Sequence, residues 1–221
     1  MVMVKETQRR CRVRGESRRA EILDAALRVF LKCGYRGATM DLVVAEANAS
    51  KATIYSYFGG KDGLFMAIVE ERTEQVVSDL FADDNAEPRE AGNVDVHLVL
   101  AQIARRLLAS SLEPDTLALY RLILSEGIHF PEVARTFFRI GPDRGTARLA
   151  GILARWHDQG LISVDDPFRL AHQFLIIALG DLHVRGLAGV FPEDLNAAID
   201  DNVHAAVRFF RKTVGWTSPP A

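Results

Sequence analysis

Cysteine is scarce: Cys11 and Cys33 are the only two in 221 residues, and no metal-ligand spacing joins them. A disulfide framework and a zinc site are thereby excluded; what is left is a pair of free thiols in a cytoplasmic protein, or a redox switch at Cys11. Long apolar runs are missing as well. The stretch from Phe174 to Leu179 falls far short of the roughly 20 residues that cross a bilayer. The opening MVMVKETQRRCRVRG has no apolar core, so it is not a secretory signal. No Gly-rich phosphate loop, HExxH, GxSxG or paired-Cys pattern occurs. His97, His129, His157, His172, His183 and His204 are too scattered to hold a metal. No catalytic residue, metal or cofactor is assigned, and the chain does not read as an enzyme. Strand-type alternation persists nowhere, which leaves an all-α protein.

Nor does one sign of charge dominate, since 27 Lys and Arg stand against 29 Asp and Glu. The balance conceals a split. Through Asp62 there are 12 basic and 7 acidic residues, and the remainder has 15 and 22. A basic head on an acidic body suits a protein that meets a polyanion at one end. Arg9, Arg10, Arg12, Arg14, Arg18 and Arg19 concentrate the charge before and at the start of the first helix. Such an arm either follows phosphates and a minor groove or stays in solvent, and a charge run alone does not choose between the two.

The most informative segment is TMDLVVAEANASKATIYSYFGGKDGLF, residues 39–65. Thr39 caps a helix that buries Met40, Val43, Val44 and Ala47, the spacing of one helical face. Asn48 stops it, because Asn tolerates the left-handed conformation of a sharp turn. Ser50 caps the next helix, Lys51 to Phe58, which turns Ile54 and Phe58 inward. This is a helix-turn-helix. Lys51, Ala52, Thr53, Tyr55, Ser56 and Tyr57 cover the rest of the second helix. Its first turn carries groups suited to base edges: a Lys donor, a Thr hydroxyl and methyl, and a small Ala. The Tyr hydroxyls reach phosphates, and Lys61 joins the free amides of the following helix start in holding one. The same tyrosines would also suit the half-buried wall of a helical bundle. Thr39, Ser50, Arg12, Arg14 and Arg18 complete the candidate DNA-binding set.

Coarsely, helix one spans Ser17–Lys32 and stops at Gly34. Further helices follow over 61–81, 94–110, 114–126, 143–159, 167–188 and 192–214, with a short one from Phe130-Pro131 to Gly141-Pro142. Residues 83–93 form a polar linker and TSPPA a frayed tail.

Ala25-Ala26-Leu27, Phe30, Gly34-Tyr35, Thr39-Met40, Val43, Ala47, the run Ser50 to Phe58, Lys61-Asp62 and Leu64-Phe65 together resemble the DNA-binding domain of TetR-type repressors. Asn48 stands where that family has a turn glycine, Gly60 where a capping Ser is common, and Val44 where a small alanine is usual. The body resembles the C-terminal domain of AefR-like members through Leu122, Glu126, His129 to Ala134, Phe137-Phe138, Gly141-Pro142, Gly160, Ile162, Asp165 to Pro167 and Phe174. The resemblance implies a three-helix helix-turn-helix domain followed by a larger helical bundle for ligand binding and dimerisation. The expected domains are a basic arm over 1–16, the DNA-binding module over 17–62, an effector-binding and dimerisation body over 63–215, and a tail over 216–221. Tyr120, Arg121, Leu124, His129, Phe137, Phe138, Trp156 and Phe174 are candidates for an effector pocket, although such aromatics also simply fill cores. Leu170, Phe174, Ile177 and Leu182, with Leu195, Ile199, Val203, Val207 and Phe210, are the two stripes expected at a homodimer interface; each would serve an intramolecular core equally well.

The expected function is sequence-specific repression from a pseudopalindromic duplex operator, released by a small-molecule effector. The alternatives are a constitutive regulator or activator without effector, or a small-molecule-binding helical enzyme.

Overall fold

The computed structural model describes residues 2–82 and 95–216, with side chains for 16–82 and 95–214. The linker read over 83–93 and the tail TSPPA lie outside the described residues. The chain divides into two compact units, Met1–Arg72 with Leu122–Thr136, and Thr73–Arg121 with Phe137–Ala221. That division cuts across the boundary expected at residue 62.

The first unit is built on α1 (Val2–Gly37), α2 (Met40–Ala47), α3 (Lys51–Phe58) and the start of α4 (Lys61–Leu80). It also takes in the end of α6 (Pro114–Glu126) and most of α7 (Pro131–Phe138). α1 begins much earlier than Ser17, so the segment read as an arm is helical. Lys, Glu, Gln and Arg dominate it, and all are good helix formers. Gly34 interrupts α1 near its end, at φ 70° and ψ 168°. Ile22, Ala26, Val29 and Phe30 are buried, and the Phe30, Tyr35 and Phe65 rings pack together with centroids 4.9–5.8 Å apart. Ion pairs join the helices around this core: Arg28–Glu46 at 2.7 Å, Arg19–Glu71 at 2.8 Å and Arg72–Asp24 at 2.5 Å. Each is largely exposed and contributes on the order of 0–1 kcal/mol.

Gly63 sits where α4 starts against the end of α3. A Cβ there would collide with the Phe58 carbonyl oxygen, so the close approach requires glycine.

The second unit holds the rest of α4, α5 (Val96–Leu112), the start of α6, the end of α7, α8 (Arg144–Asp158), α9 (Pro167–Leu187) and α10 (Leu195–Thr213). Its core gathers Leu100, Leu108, Leu153, Trp156, Phe174 and Phe210. The Phe174 and Phe210 rings meet edge to face at 5.7 Å. Aspartates start the helices here: Asp95 accepts from His97 and Leu98 N–H, and Asp166 from Arg169 N–H. Asp194 does the same for Ala197 at 2.9 Å. α10 therefore begins at Leu195 rather than at Pro192.

Three further features differ from the sequence reading. α7 does not end at Gly141-Pro142 but runs through a widened π turn, Arg139–Asp143, into α8; Pro142 has no N–H to place in a regular turn. Two two-residue strands, β1 (Ile162–Ser163) and β2 (Gly215–Trp216), pair antiparallel, too short to leave a periodic trace. α9 breaks at Gly180.

Candidate nucleic-acid interface

α2 and α3 owe their geometry to their caps. The Thr39 hydroxyl accepts from Leu42 N–H at 3.3 Å, and the Ser50 hydroxyl from Thr53 N–H at 3.0 Å. Asn48 is left-handed, with φ 46° and ψ 49°, and the Ala49 N–H closes the turn onto the Val44 carbonyl at 3.2 Å. Of the face expected inside α2, Val43 and Ala47 are buried, and Met40 and Val44 are half-buried.

The orientation of α3 is fixed by Ile54, which has no exposed surface, and by half-buried Phe58 under the Arg19 guanidinium, 5.5 Å from the ring centre. Lys51, Ala52 and Ser56 are consequently exposed, together with Tyr55 and Tyr57 at 44% and 43%. Thr53 is half-buried, and its hydroxyl lies 2.7 Å from that of Ser50. The surface expected to meet DNA is open along its length.

Two of its cations are engaged. Lys51 pairs with Asp41 at 3.0 Å, and this hydrogen bond, then the Asp41 charge, hold its ammonium above the usual lysine value. Lys61 lies 4.5 Å from the Tyr35 ring centre and donates to the Arg36 carbonyl at 3.5 Å. Tyr35 donates in turn to Asp62; burial first and that bond second raise its phenol well above the ordinary range. Lys61 is thus pre-positioned beside the first turn of α4, where backbone amides are free.

Arg18 has a different place from the one expected. Its guanidinium donates to the carbonyls of Ala47 and Asn48 and pairs with Glu21, which ties α1 to the end of α2. The side chains of Arg12 and Arg14 lie outside the described residues.

With this geometry in view, two family profiles match the chain. Residues 22–68 match bacterial regulatory proteins of the TetR family, and residues 98–213 match the C-terminal domain of AefR-like transcriptional repressors. The chain belongs to the TetR family of DNA-binding transcriptional repressors. It is 30% identical to the TetR repressor of Mycobacteroides abscessus over 159 residues, 72% of this chain and 78% of that one. Against the repressor SCO4008 of Streptomyces coelicolor the identity is 31% over 102 residues, 46% of this chain and about half (53%) of the relative. Among solved structures, a TetR-family regulator from Mesorhizobium loti superposes with a TM-score of 0.82 at 26% identity, covering 91% of this chain and 98% of that one. The flavonoid-responsive regulator FrrA gives 0.72 at 28%, covering 93% and 100%. The family is one of regulators rather than enzymes. No helix among the described residues is long and apolar enough to cross a membrane.

In the body of this TetR-family chain, two of the eight candidate pocket residues, Leu124 and His129, belong to the first unit and the other six to the second. Tyr120, Phe137 and Phe138 form a run of edge-to-face rings with centroids 5.0 and 5.4 Å apart. Trp156 and Phe174 are sealed in the core of the second unit. Leu124 and His129 are exposed residues of the first unit. Arg121 donates to the carbonyls of Gly186 and Leu187 at 2.8 and 2.7 Å. His183, absent from the candidate set, packs edge to face on Tyr120 at 5.1 Å. A separate open groove of about 430 Å³ lies beside the α9–α10 connection, lined by Asp181, Arg185, Val190 and Phe191 among others.

The stripes expected at a dimer interface also turn inward. Leu170, Phe174, Leu182, Ile199, Val203 and Phe210 are core residues, and Ile177, Leu195 and Val207 pack against that core. The outward faces carry other apolar groups: Phe168, Ile176 and Val184 on α9, and Phe209 on α10, all between 45% and 63% exposed.

Proposed function

We propose that this TetR-family chain acts as a homodimeric repressor, placing α3 of each protomer in the major groove of a pseudopalindromic operator and leaving it when a small molecule binds the second unit. One observation carries the DNA-reading half. Ile54 is fully buried while Lys51, Ala52, Tyr55, Ser56 and Tyr57 around it are exposed, so the helix offers short polar and small groups at its N-terminal end, where such helices meet base edges. Thr53 and Lys51 read bases, the tyrosine hydroxyls reach phosphates, and Lys61 with the α4 amides holds one phosphate. Thr39 and Ser50 serve as caps at the same surface. Arg18 acts at one remove, by bracing the turn.

Dimerisation is supported by the outward apolar groups of α9 and α10, where Phe168, Ile176, Val184 and Phe209 are each about half exposed among the described residues. Two-fold pairing there would set two recognition helices about 34–36 Å apart, one turn of DNA. Release by a small molecule is supported by the match to AefR-like C-terminal domains and by the likeness to FrrA, a flavonoid-responsive regulator. An effector need only bind one arrangement of the dimer better than the other.

Selection of bound fragments from genomic DNA, followed by titration of the enriched duplexes, tests the reading. A preferred two-half-site sequence is the expected result. Binding without sequence preference at moderate salt overturns it.

A further inference from the structure

We propose that Glu126 restrains DNA binding: its carboxylate holds the Arg36 guanidinium, and removing that charge frees Arg36 to grip a phosphate beside the one assigned to Lys61. The proposal rests on the reading of Lys61 as a phosphate contact for the place of that phosphate.

Arg36 owes its position to the break in α1. Beyond Gly34, at φ 70° and ψ 168°, Tyr35 packs against Phe30 and Phe65, with ring centres 5.8 and 4.9 Å away. Arg36 follows with a side chain 72% exposed. Its carbonyl accepts from the Lys61 ammonium at 3.5 Å, and that ammonium also lies 4.5 Å from the Tyr35 ring centre. The two cations therefore stem from neighbouring points of one surface. Two carboxylates accompany them. Asp62 accepts from the Tyr35 hydroxyl, and Glu126 Oε2 stands 3.8 Å from Arg36 Nε.

Glu126 is the unexpected member. It ends α6 and lies within the stretch matched to AefR-like C-terminal domains, yet it belongs to the compact unit of the helix-turn-helix. The local backbone fixes it there. Its carbonyl accepts from His129 and Phe130 N–H at 2.9 and 2.7 Å. Gly127 brings the end of α6 tight against α7, since a Cβ would lie 2.7 Å from the Ile123 carbonyl oxygen and 3.0 Å from the Ala134 Cβ. The Glu126 side chain is only 14% exposed. After burial and the Asp62 bond and charge, its own charge is a further cause of the raised Tyr35 phenol.

These positions set the direction of the effect. Exposed ion pairs are weak, and 3.8 Å is too long for a hydrogen bond, so the guanidinium is not locked. A phosphate that recruits it must nevertheless strip a largely buried carboxylate of its counter-charge and leave it facing a polyanion. With a neutral amide at position 126 that cost vanishes. The guanidinium fork suits a phosphate as well as a carboxylate, and each added phosphate contact releases counterions.

The full-length protein can be titrated by fluorescence anisotropy with a labelled duplex enriched from genomic DNA, over a series of salt concentrations. Glu126→Gln should tighten binding about three- to tenfold at ~0.1 M salt and steepen the salt slope by about 0.9 per bound protomer. Arg36→Ala alone should match the wild type in both, because Glu126 already withholds the guanidinium. The double variant should match Arg36→Ala. A gain that survives Arg36→Ala, or one without a steeper slope, would make Glu126 a general repulsive charge and overturn the restraint. So would a slope reduced by Arg36→Ala alone, a readout independent of how well a Glu126 variant folds. No gain in a Glu126→Gln protein with wild-type circular dichroism would overturn it too. Lys61→Ala keeps the two readings apart: an unchanged slope there removes the Lys61 contact, while the Arg36–Glu126 cycle still decides the restraint.

Discussion

Arg18 donates to the Ala47 and Asn48 carbonyls, at 3.3 and 2.6 Å, and so fastens α1 to the turn of the helix-turn-helix. These acceptors are at the carbonyl end of α2, where a positive charge is favoured and where a left-handed residue has used up the local donors. Arg18→Ala should destabilise the N-terminal module by about 1 kcal/mol, the net value of such bonds discounted for partial exposure. The same change should weaken all operator variants alike, because the turn would lose its brace while α3 keeps its base-facing groups. Thermal unfolding and fluorescence-anisotropy titrations check both; altered sequence preference would instead make Arg18 a base-reading residue.

The Lys51–Asp41 pair at 3.0 Å bears on affinity. When α3 meets DNA, Lys51 must exchange a carboxylate for a base or phosphate, and Asp41 is left facing a polyanion. Asp41→Asn should therefore tighten binding several-fold at low salt, with the gain shrinking as salt rises. Titrations at two salt concentrations decide the matter. A loss of affinity would mean that Asp41 is needed to orient Lys51.

Thr53 and Lys61 should separate base reading from phosphate anchoring. Thr53→Ala should change the ranking of operator variants, by about 1–3 kcal/mol at one base position if its hydroxyl makes a good contact. Lys61→Ala should weaken every duplex and reduce the salt slope by about 0.9. Uniform loss with Thr53→Ala would remove its reading role.

The helix-turn-helix was legible in the sequence because its signals are local. Thr39, Asn48 and Ser50 act on backbone groups a few residues away, and Ile54 and Phe58 lie one turn apart on one helix. The second unit was harder for the opposite reason. α9 is apolar on two faces, and periodicity cannot say which of Phe174 and Ile176 looks inward. The Tyr120–His183 contact joins residues far apart in the chain and leaves no spacing to detect. Gly63 and Gly180 look like tolerated helix glycines until the neighbouring Phe58 carbonyl and Asn202 are in place.

At Gly180 the chain adopts φ 55° and ψ −158°, and a Cβ would sit 2.7 Å from Asn202 Oδ1. Asn202 donates to the Ala178 carbonyl, two residues before the break in α9. Gly180→Ala should cost about 1–3 kcal/mol from backbone strain, with the clash adding to it. Asn202→Ala should cost about 1 kcal/mol through the lost bond. The double variant should be less unstable than the sum, since removing Asn202 relieves the clash but not the strain. Chemical denaturation of the four proteins checks the cycle; strict additivity would show that Asn202 yields to the new methyl.

The outward face of α9 makes the final prediction the most demanding. Ile176 and Val184, on either side of the Gly180 break in α9, are 55% and 63% exposed on the protomer, and burying a side chain of this kind contributes about 1.5–3 kcal/mol. Charges at both positions would face their symmetry mates across a two-fold axis and lose hydration there. The double variant Ile176→Glu/Val184→Glu should therefore be monomeric in analytical ultracentrifugation while keeping its helical circular dichroism, because neither residue belongs to the protomer core. Its affinity for one half-site should be unchanged, since α3 lies in the other compact unit. Its affinity for the full operator should fall by about 100- to 10,000-fold, the advantage lost when two linked binding events become independent. A variant that stays dimeric would move the interface to another surface. One that becomes monomeric yet binds the full operator as before would show that a single recognition helix suffices.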